Sequence, residues 1–481
     1  MQRLHSGSRE TMEHPTWSIS CLIIKSAYNL LDGFATVLKA YFSGEGAHAK
    51  GVPEMSNHSD VFCALPWVHL NINPDGAATL CCQSHHPLRE ENGKPLNLQT
   101  HSLEEIWNSS ALRGIRADMV AGKPVPHCFA CHHNEKIGAG SYRLVANQRW
   151  QATVDADLCE GGQTRPPRYF DLRVGNLCNL KCVICKSLYS SQIERDPVHG
   201  PWTEASYQRL EHRFEGSDDW DQAPEILDEI VAISRNVEEI QLAGGEPTIN
   251  KTMIGWLNHL CETGKAAQIH LGLVTNFINV NPRIYNLLPA FKSVDLKLSI
   301  DGYGGVYDYV RYPGKWDYLI RNVEKAKSTR SDIQFYVMPV LNVYNFLHIF
   351  DLLEWSDKQG FHCHATLARG VNYIDSRLLP PVTRRRIHDR LEDYVSAGRA
   401  AGLDGAGLRG RLAPWLAEID ATDFNPETRA RHIDSFMKFT NDLDRSRSLN
   451  FRERFPMLYQ DIVAYYGPWR AEGRFYDGRR A

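Results

Sequence analysis

Between residues 168 and 370 the chain alternates strand-like runs with amphipathic stretches, and no other feature narrows its fold as far. The strand-like runs are "RYFDLRV" (168–174), "VEEIQLA" (237–243), "QIHLGLVTN" (268–276), "VDLKLSI" (294–300), "IQFYVMPV" (333–340) and "FHCHATLA" (361–368). The stretches between them include "APEILDEIVAISRN", "NPRIYNLLPAF", "WDYLIRNVEKAKST" and "YNFLHIFDLLEWSDKQ". Their apolar residues recur near i, i+3 and i+4, the mark of a helix with one buried face. A strand followed each time by a helix calls for parallel pairing and right-handed crossovers. The expected fold is therefore α/β: a partial (β/α)6, TIM-like barrel over 168–370, with functional loops at the carboxyl ends of its strands.

The flanks read differently. Residues 58–145 suggest a small α+β domain: "WVHLNIN" and "AATLCC" flank the turn "PDG" as a hairpin. A helix follows at "SLEEIWNSSALRGIRADMV", opened by Ser102 with Glu105 three residues on, a capping box. Residues 146–167, with "EGGQTRPP", read as a linker, and 371–481 as an Arg-rich helical cap. Residues 1–57 read as an extension, helical or loosely ordered, with Met55 a second candidate start. Their most apolar stretch, 17–42, is interrupted by Lys25, Asp32 and Lys39. A membrane span needs roughly 18 uninterrupted apolar residues, so no transmembrane segment is expected. Without an export signal the expectation is a cytoplasmic protein. A formal net charge of -3 gives no overall attraction to nucleic acid, and none is expected as a partner.

The 12 cysteines are clustered. In a reducing compartment short-range cysteine groups more often bind metal than form disulfides. "GNLCNLKCVICKS" supplies Cys178, Cys182 and Cys185 from one loop directly behind the first barrel strand. Thiolates suit zinc or iron–sulfur clusters. Structural zinc asks for four ligands, and this loop offers three. Three thiolates on a four-iron cluster leave one iron open to another ligand.

That loop resembles the Cys-x3-Cys-x2-Cys motif of the radical S-adenosylmethionine (radical SAM) superfamily. The resemblance implies a [4Fe–4S] cluster whose open iron is chelated by the amino and carboxylate groups of S-adenosylmethionine. Reductive cleavage then gives a 5'-deoxyadenosyl radical that takes a hydrogen atom from substrate. "LAGGEP" places Gly244, Gly245 and Glu246 like the family's Gly-Gly-Glu motif, with the carboxylate implied at the amine of S-adenosylmethionine. "LSIDG" places Ser299 and Asp301, and "YDYVRYPGKW" Arg311, where related enzymes contact that cofactor. Alone, each of these is weak; a surface charge would equally explain Arg311. An external electron donor such as flavodoxin or ferredoxin is implied.

The amino-terminal cysteines form a second set. Cys63, Cys81, Cys128 and Cys131 are two separated pairs that would close a site, and spacing alone allows zinc or iron–sulfur. The Cys-Pro-Trp-like opening "CALPW", the step Gly76-x4-Cys81 and the later Cys-x2-Cys resemble SPASM and twitch domains, which hold auxiliary [4Fe–4S] clusters. One auxiliary cluster is implied, because cysteines for a second are missing. The domain also precedes the barrel, where the family usually places it after. Cys82 competes with Cys81, and strand neighbours face opposite ways, so one of the two should face the cluster; Cys81 fits the spacing. Cys363 is a candidate hydrogen-atom donor if it faces the barrel interior, with His362 and His364 on the opposite face. Cys159, in the linker, and Cys261, on a helix, are comparable candidates.

The expected function is hydrogen abstraction from a bulky substrate, a sugar or aminocyclitol-type natural product undergoing epimerisation or dehydrogenation. One alternative is a peptide-modifying maturase of the SPASM/twitch type. Another is a non-catalytic, zinc-binding scaffold protein. The substrate is thus a small molecule, a carbohydrate or a peptide.

Overall fold

A computed structural model describes residues 59–84, 86–159, 165–207, 229–230, 232, 236–470 and 472–475. All belong to one compact unit, Val52–Ala481. The expected extension, 1–57, and most of the expected helix "APEILDEIVAISRN" lie outside the described residues.

The strands are β1 (His69–Ile72), β2 (Ala78–Thr79), β3 (Tyr169–Val174), β4 (Glu239–Gly244), β5 (His270–Thr275), β6 (Ser293–Leu298), β7 (Gln334–Val337), β8 (Val340–Leu341), β9 (His362–Cys363) and β10 (Thr366–Leu367). One sheet runs β2-β1-β3-β4-β5-β6-β7-β9. From β1 to β9 every pairing in it is parallel. The alternating pattern at 168–370 thus folds as the expected partial barrel, and β3, β4, β5, β6, β7 and β9 are its six strands.

Strand alternation sorts the side chains. Phe170, Leu172, Ile240, Leu242, Leu271 and Leu296 share the helix-covered face, each at 1% exposure or less. Burying such a side chain contributes roughly 1.5–3 kcal/mol. Asn71, Asp171, Gln241, Lys297, Tyr336 and His362 share the inner face. A one-residue slip would exchange these two sets, and that cost fixes the register.

The fifth and sixth strand-like runs are each cut in two. Pro339 has no N–H to continue a ladder, so the chain breaks between β7 and β8. Residues 366–367 leave the main sheet to pair with β8. The hairpin forms as expected, with Asn71 opposite Thr79 and Gly76 in the turn at φ 79°. Its strand β1 pairs in parallel with β3, His69 against Tyr169, so the hairpin extends the barrel sheet at its first edge.

The capping box at Ser102 and Glu105 forms, but the helix it opens is two: Leu103–Trp107 and Ser110–Val120, the second capped by Ser109. The expected linker is largely helical, since a helix runs Tyr142–Cys159. It crosses the inner face at the strands' amino-terminal ends. The Tyr142 and Tyr169 hydroxyls lie 2.7 Å apart, and Arg149 pairs with Glu239 at 2.9 Å. After residue 380 the described chain is helical, as expected. Its longest helix, Pro426–Arg447, is joined to the rest by Trp202 donating to Asp442 and Tyr309 donating to Asp444.

Candidate functional site

The three-cysteine loop leaves β3 at the carboxyl end of the sheet, where a barrel keeps its functional loops. It folds on itself first: the Cys178 N–H donates to Ser191 Oγ at 3.2 Å and the Ser190 hydroxyl to Leu180 O at 2.7 Å. Two other loops then clamp it. The Gly245 N–H donates to Gly175 O at 3.1 Å and the Glu246 N–H to Leu177 O at 2.8 Å. Opposite them, the loop's own Lys181 and Val183 N–H groups donate to Tyr312 O and Val310 O, at 2.7 and 2.8 Å.

The glycines are required by this contact. Gly244 has φ 115°, and a Cβ on Gly245 would sit 2.3 Å from Leu177 O. Backbone cannot yield as a flexible side chain can, so Gly245→Ala must push the two loops apart. The variant is expected to fold yet lose most of the iron bound at Cys178, Cys182 and Cys185, as read by iron analysis after anaerobic reconstitution.

Glu246 is 1% exposed and spends its carboxylate internally. Oε1 accepts from the Thr248 N–H and from the Thr248 and Thr275 hydroxyls, while Oε2 accepts from the Asn276 N–H at 2.7 Å. It thus braces the ends of β4 and β5. Asn276 passes the brace on, its amide lying 3.9 Å from Cys178 Sγ. Ser299 is half-buried beside them, its N–H donating to Thr275 O. Arg311 is no surface charge. It is 7% exposed, pairs with Asp301 at 2.7 Å and points Nη1 at Cys182 Sγ, 3.8 Å away. Asp301, fully buried, also accepts from the Val340 N–H. The structure therefore brings Cys178, Cys182, Cys185, Gly244, Gly245, Glu246, Asp301 and Arg311 into one neighbourhood at the strand ends.

Burial pushes all three thiols up, that of Cys185 to about 12. Such groups become thiolates when a metal replaces the proton. Among the described residues no three Cys, His, Asp or Glu side chains converge tightly enough to share a single ion. Three soft donors on one loop, with no fourth ligand grouped with them among the described residues, suit an iron–sulfur cluster better than structural zinc.

Cys63, Cys81, Cys128 and Cys131 line a small, partly open pocket together with Tyr142 and Arg143. Burial also pushes their thiols up, that of Cys128 to about 12. Arg143 is the positive charge beside Cys63, Cys128 and Cys131, held by Glu135 at 3.0 Å and by Phe62 O at 2.9 Å. Cys82 does not line this pocket. The charges acting on its thiol are those of Asp171, Arg173 and Lys297, all on the inner face of the barrel. Replacing Cys81 by serine is accordingly expected to cost the pocket its iron, about four atoms per chain. Cys82→Ser keeps them.

Cys363 is not where a hydrogen-atom donor to the interior must be. It pairs with Val337 on the helix-covered face, and its neighbouring charges, Arg411 and Asp357, belong to the outer layer. The preceding residue, His362, takes the inner face and stacks on Tyr336 at 5.1 Å, with His364 on the same ring at 5.8 Å. The strand is only two residues long, yet its alternation is intact. Cys261 lies on the helix Lys251–Glu262, with its thiol toward Leu287 O. The side chain of Cys159 is outside the described residues.

Sequence reasoning missed Arg143 and Tyr142. Neither sits in a motif, and their place follows from which helix faces the cysteine pocket.

Two family profiles match the chain: the radical SAM superfamily over residues 172–355 and the SPASM iron–sulfur cluster-binding domain over 63–132. It is 30% identical over 152 residues to the mycofactocin maturase MftC of Mycolicibacterium smegmatis, covering 31% of this chain and 32% of that protein. The MftC of Mycobacterium ulcerans is 27% identical over 194 residues, 40% of this chain and 45% of that one. The matched stretches thus span less than half the length of these curated relatives. Among solved structures, Streptococcus suis SuiB bound to the precursor peptide SuiA aligns at TM-score 0.34 and 15% identity, covering 68% of this chain and 69% of that one. Native anSMEcpe with bound AdoMet aligns at TM-score 0.34 and 18% identity, covering 47% and 60%. Residues 172–355 thus form a radical SAM domain and residues 63–132, ahead of it, a SPASM iron–sulfur cluster-binding domain, with S-adenosylmethionine and [4Fe–4S] clusters as the cofactors.

Proposed function

We propose that the protein is a radical SAM maturase that modifies a peptide. What carries this reading is the inner face of the sheet. Its polar groups run from the hairpin into the barrel: Asn71 donates to Thr79 at 2.6 Å, Gln241 donates to Asp171 at 3.1 Å, and Lys297 donates to Gln241. In that row Asn71 Oδ1 and Asp171 Oδ1 are buried with no hydrogen-bond partner among the described residues, acceptors that the N–H groups of an extended peptide would meet. The similarity to proteins named maturases agrees with it and favours it over the sugar or aminocyclitol reading.

In this proposal Cys178, Cys182 and Cys185 hold the cluster that binds S-adenosylmethionine. Cys63, Cys81, Cys128 and Cys131 hold one auxiliary cluster, with Arg143 offsetting part of its charge. When bound and reduced, the first cluster and S-adenosylmethionine supply a 5'-deoxyadenosyl radical that takes a hydrogen atom from the substrate. The chain's own part is to hold the loop between two others, to fix Arg311 at Cys182 through Asp301, and to shield the site beneath the carboxyl-terminal helices. A donor of the flavodoxin or ferredoxin class supplies the electron.

Co-expression with short peptides encoded beside the gene tests the substrate class. A mass change in one of them, absent with the triple variant Cys178→Ala/Cys182→Ala/Cys185→Ala, is the expected result. Unchanged peptides together with a modified sugar would return the carbohydrate reading.

A further inference from the structure

The carboxyl-terminal helix Pro426–Arg447 ends on an arginine whose surroundings do not account for its charge. Arg447 is 4% exposed, and its Nε and Nη1 have no hydrogen-bond partner among the described residues. Nη2 is 2.8 Å from Nδ1 of His199, a fully buried ring that burial keeps neutral and that therefore accepts. The guanidinium lies over the Tyr312 ring, 5.3 Å from its centre.

The nearby carboxylates are already engaged. Asp196 pairs with Lys181 at 2.8 Å and accepts the Val198 and His199 N–H groups. Asp444 accepts from Tyr309 and from the Phe451 N–H, both at 2.7 Å. A ring face and the helix's carboxyl-terminal dipole favour a cation modestly, yet they leave two buried N–H donors unmet. A buried charge persists where something compensates it.

The compensation lies across Tyr312, whose carbonyl accepts from Lys181 in the three-cysteine loop. Arg447 and Arg311 are the two arginines whose charge reaches Cys182. Arg311 is paired with Asp301, so its charge is largely spent; Arg447 makes no ion pair among the described residues. A four-iron cluster on three thiolates carries one net negative charge when oxidised and two when reduced. We propose that Arg447, delivered by the carboxyl-terminal helix, is the counter-charge of the cluster at Cys178, Cys182 and Cys185, and so eases its reduction. The step is the transfer of one electron from a donor of the flavodoxin or ferredoxin class to the cluster, with no bond made or broken. This rests on the reading that the loop holds such a cluster.

The experiment compares the full reconstituted chain with Arg447→Met and Arg447→Lys. A redox titration without S-adenosylmethionine, followed by the paramagnetic signal of the reduced cluster, is its first arm. Arg447→Met is expected to shift the reduction equilibrium about tenfold toward the oxidised form, a midpoint about 59 mV lower for one electron. Arg447→Lys, which keeps the charge, stays within about twofold. The second arm is the melting temperature of the iron-free chain, in which Arg447→Met is at least as stable as wild type; iron loading reverses that order. An unchanged midpoint in Arg447→Met overturns the proposal, all the more if S-adenosylmethionine binds about tenfold more weakly, because the guanidinium then serves that ligand's carboxylate. A less stable iron-free Arg447→Met also overturns it. If no variant, wild type included, takes up iron at this loop, the cluster reading itself fails, and the iron-free comparison still decides whether Arg447 lacks an internal partner.

Discussion

Alanine at Cys178, Cys182 and Cys185 together is expected to leave a folded protein with about half its iron, four of roughly eight atoms. No 5'-deoxyadenosine should form from it. The expectation is this sharp because the two cysteine sets are separate. The loop behind β3 is held by backbone hydrogen bonds to residues 245, 246, 310 and 312, none of which needs the thiols. Cys63, Cys81, Cys128 and Cys131 line a pocket of their own and keep their cluster. Iron and sulfide analysis with the visible spectrum reads the first part, and chromatography of the reaction mixture reads the second. Loss of all iron would show instead that the auxiliary site depends on the loop.

The largest stability effect is expected at Asp301. Asp301→Ala leaves the Arg311 guanidinium buried at 7% exposure with its ion pair gone, and strips the Val340 N–H of its acceptor. Removing one partner of a buried pair costs about 3–5 kcal/mol, because the remaining charge stays out of water. Thermal melting of the iron-free chain should show it as a clear drop in Tm. Arg311→Met added to Asp301→Ala should recover part of the loss, since it removes the orphaned charge. A double variant no better than the single would mean that Asp301 acts mainly through Val340.

The barrel was legible because its signals are local. Residues 168–174 and 268–276 carry the alternation and flanking turns of strands, and the structure moves their ends by a residue or so. The capping box at Ser102 was legible for the same reason, since its two hydrogen bonds span three residues. Ser109 was not read as a second cap, although it splits the helix. The Cys363 expectation shows where local reading stops. Its strand was found, but which face turns inward depends on the pairing of Cys363 with Val337, and the run 361–368 is split because its second half pairs with β8 instead. The pairing of β1 with β3 was likewise hidden, because nothing in "VHLNIN" names a partner about 100 residues away. Arg143 and Arg447 lie in the helices Tyr142–Cys159 and Pro426–Arg447, and their surroundings are set by tertiary packing. The choice of Cys81 over Cys82 was posed by alternation in the sequence, and the pocket lining agrees with Cys81.

The central claim is that the loop at Cys178, Cys182 and Cys185 makes this chain a radical SAM enzyme. The most direct measurement is the yield of 5'-deoxyadenosine and methionine from the anaerobically reconstituted full chain with S-adenosylmethionine and dithionite. The account predicts the two products in equal amounts, at least tenfold above the triple alanine variant. A protein that binds iron at both sites yet forms neither product, or one that takes up zinc and no iron, would contradict it.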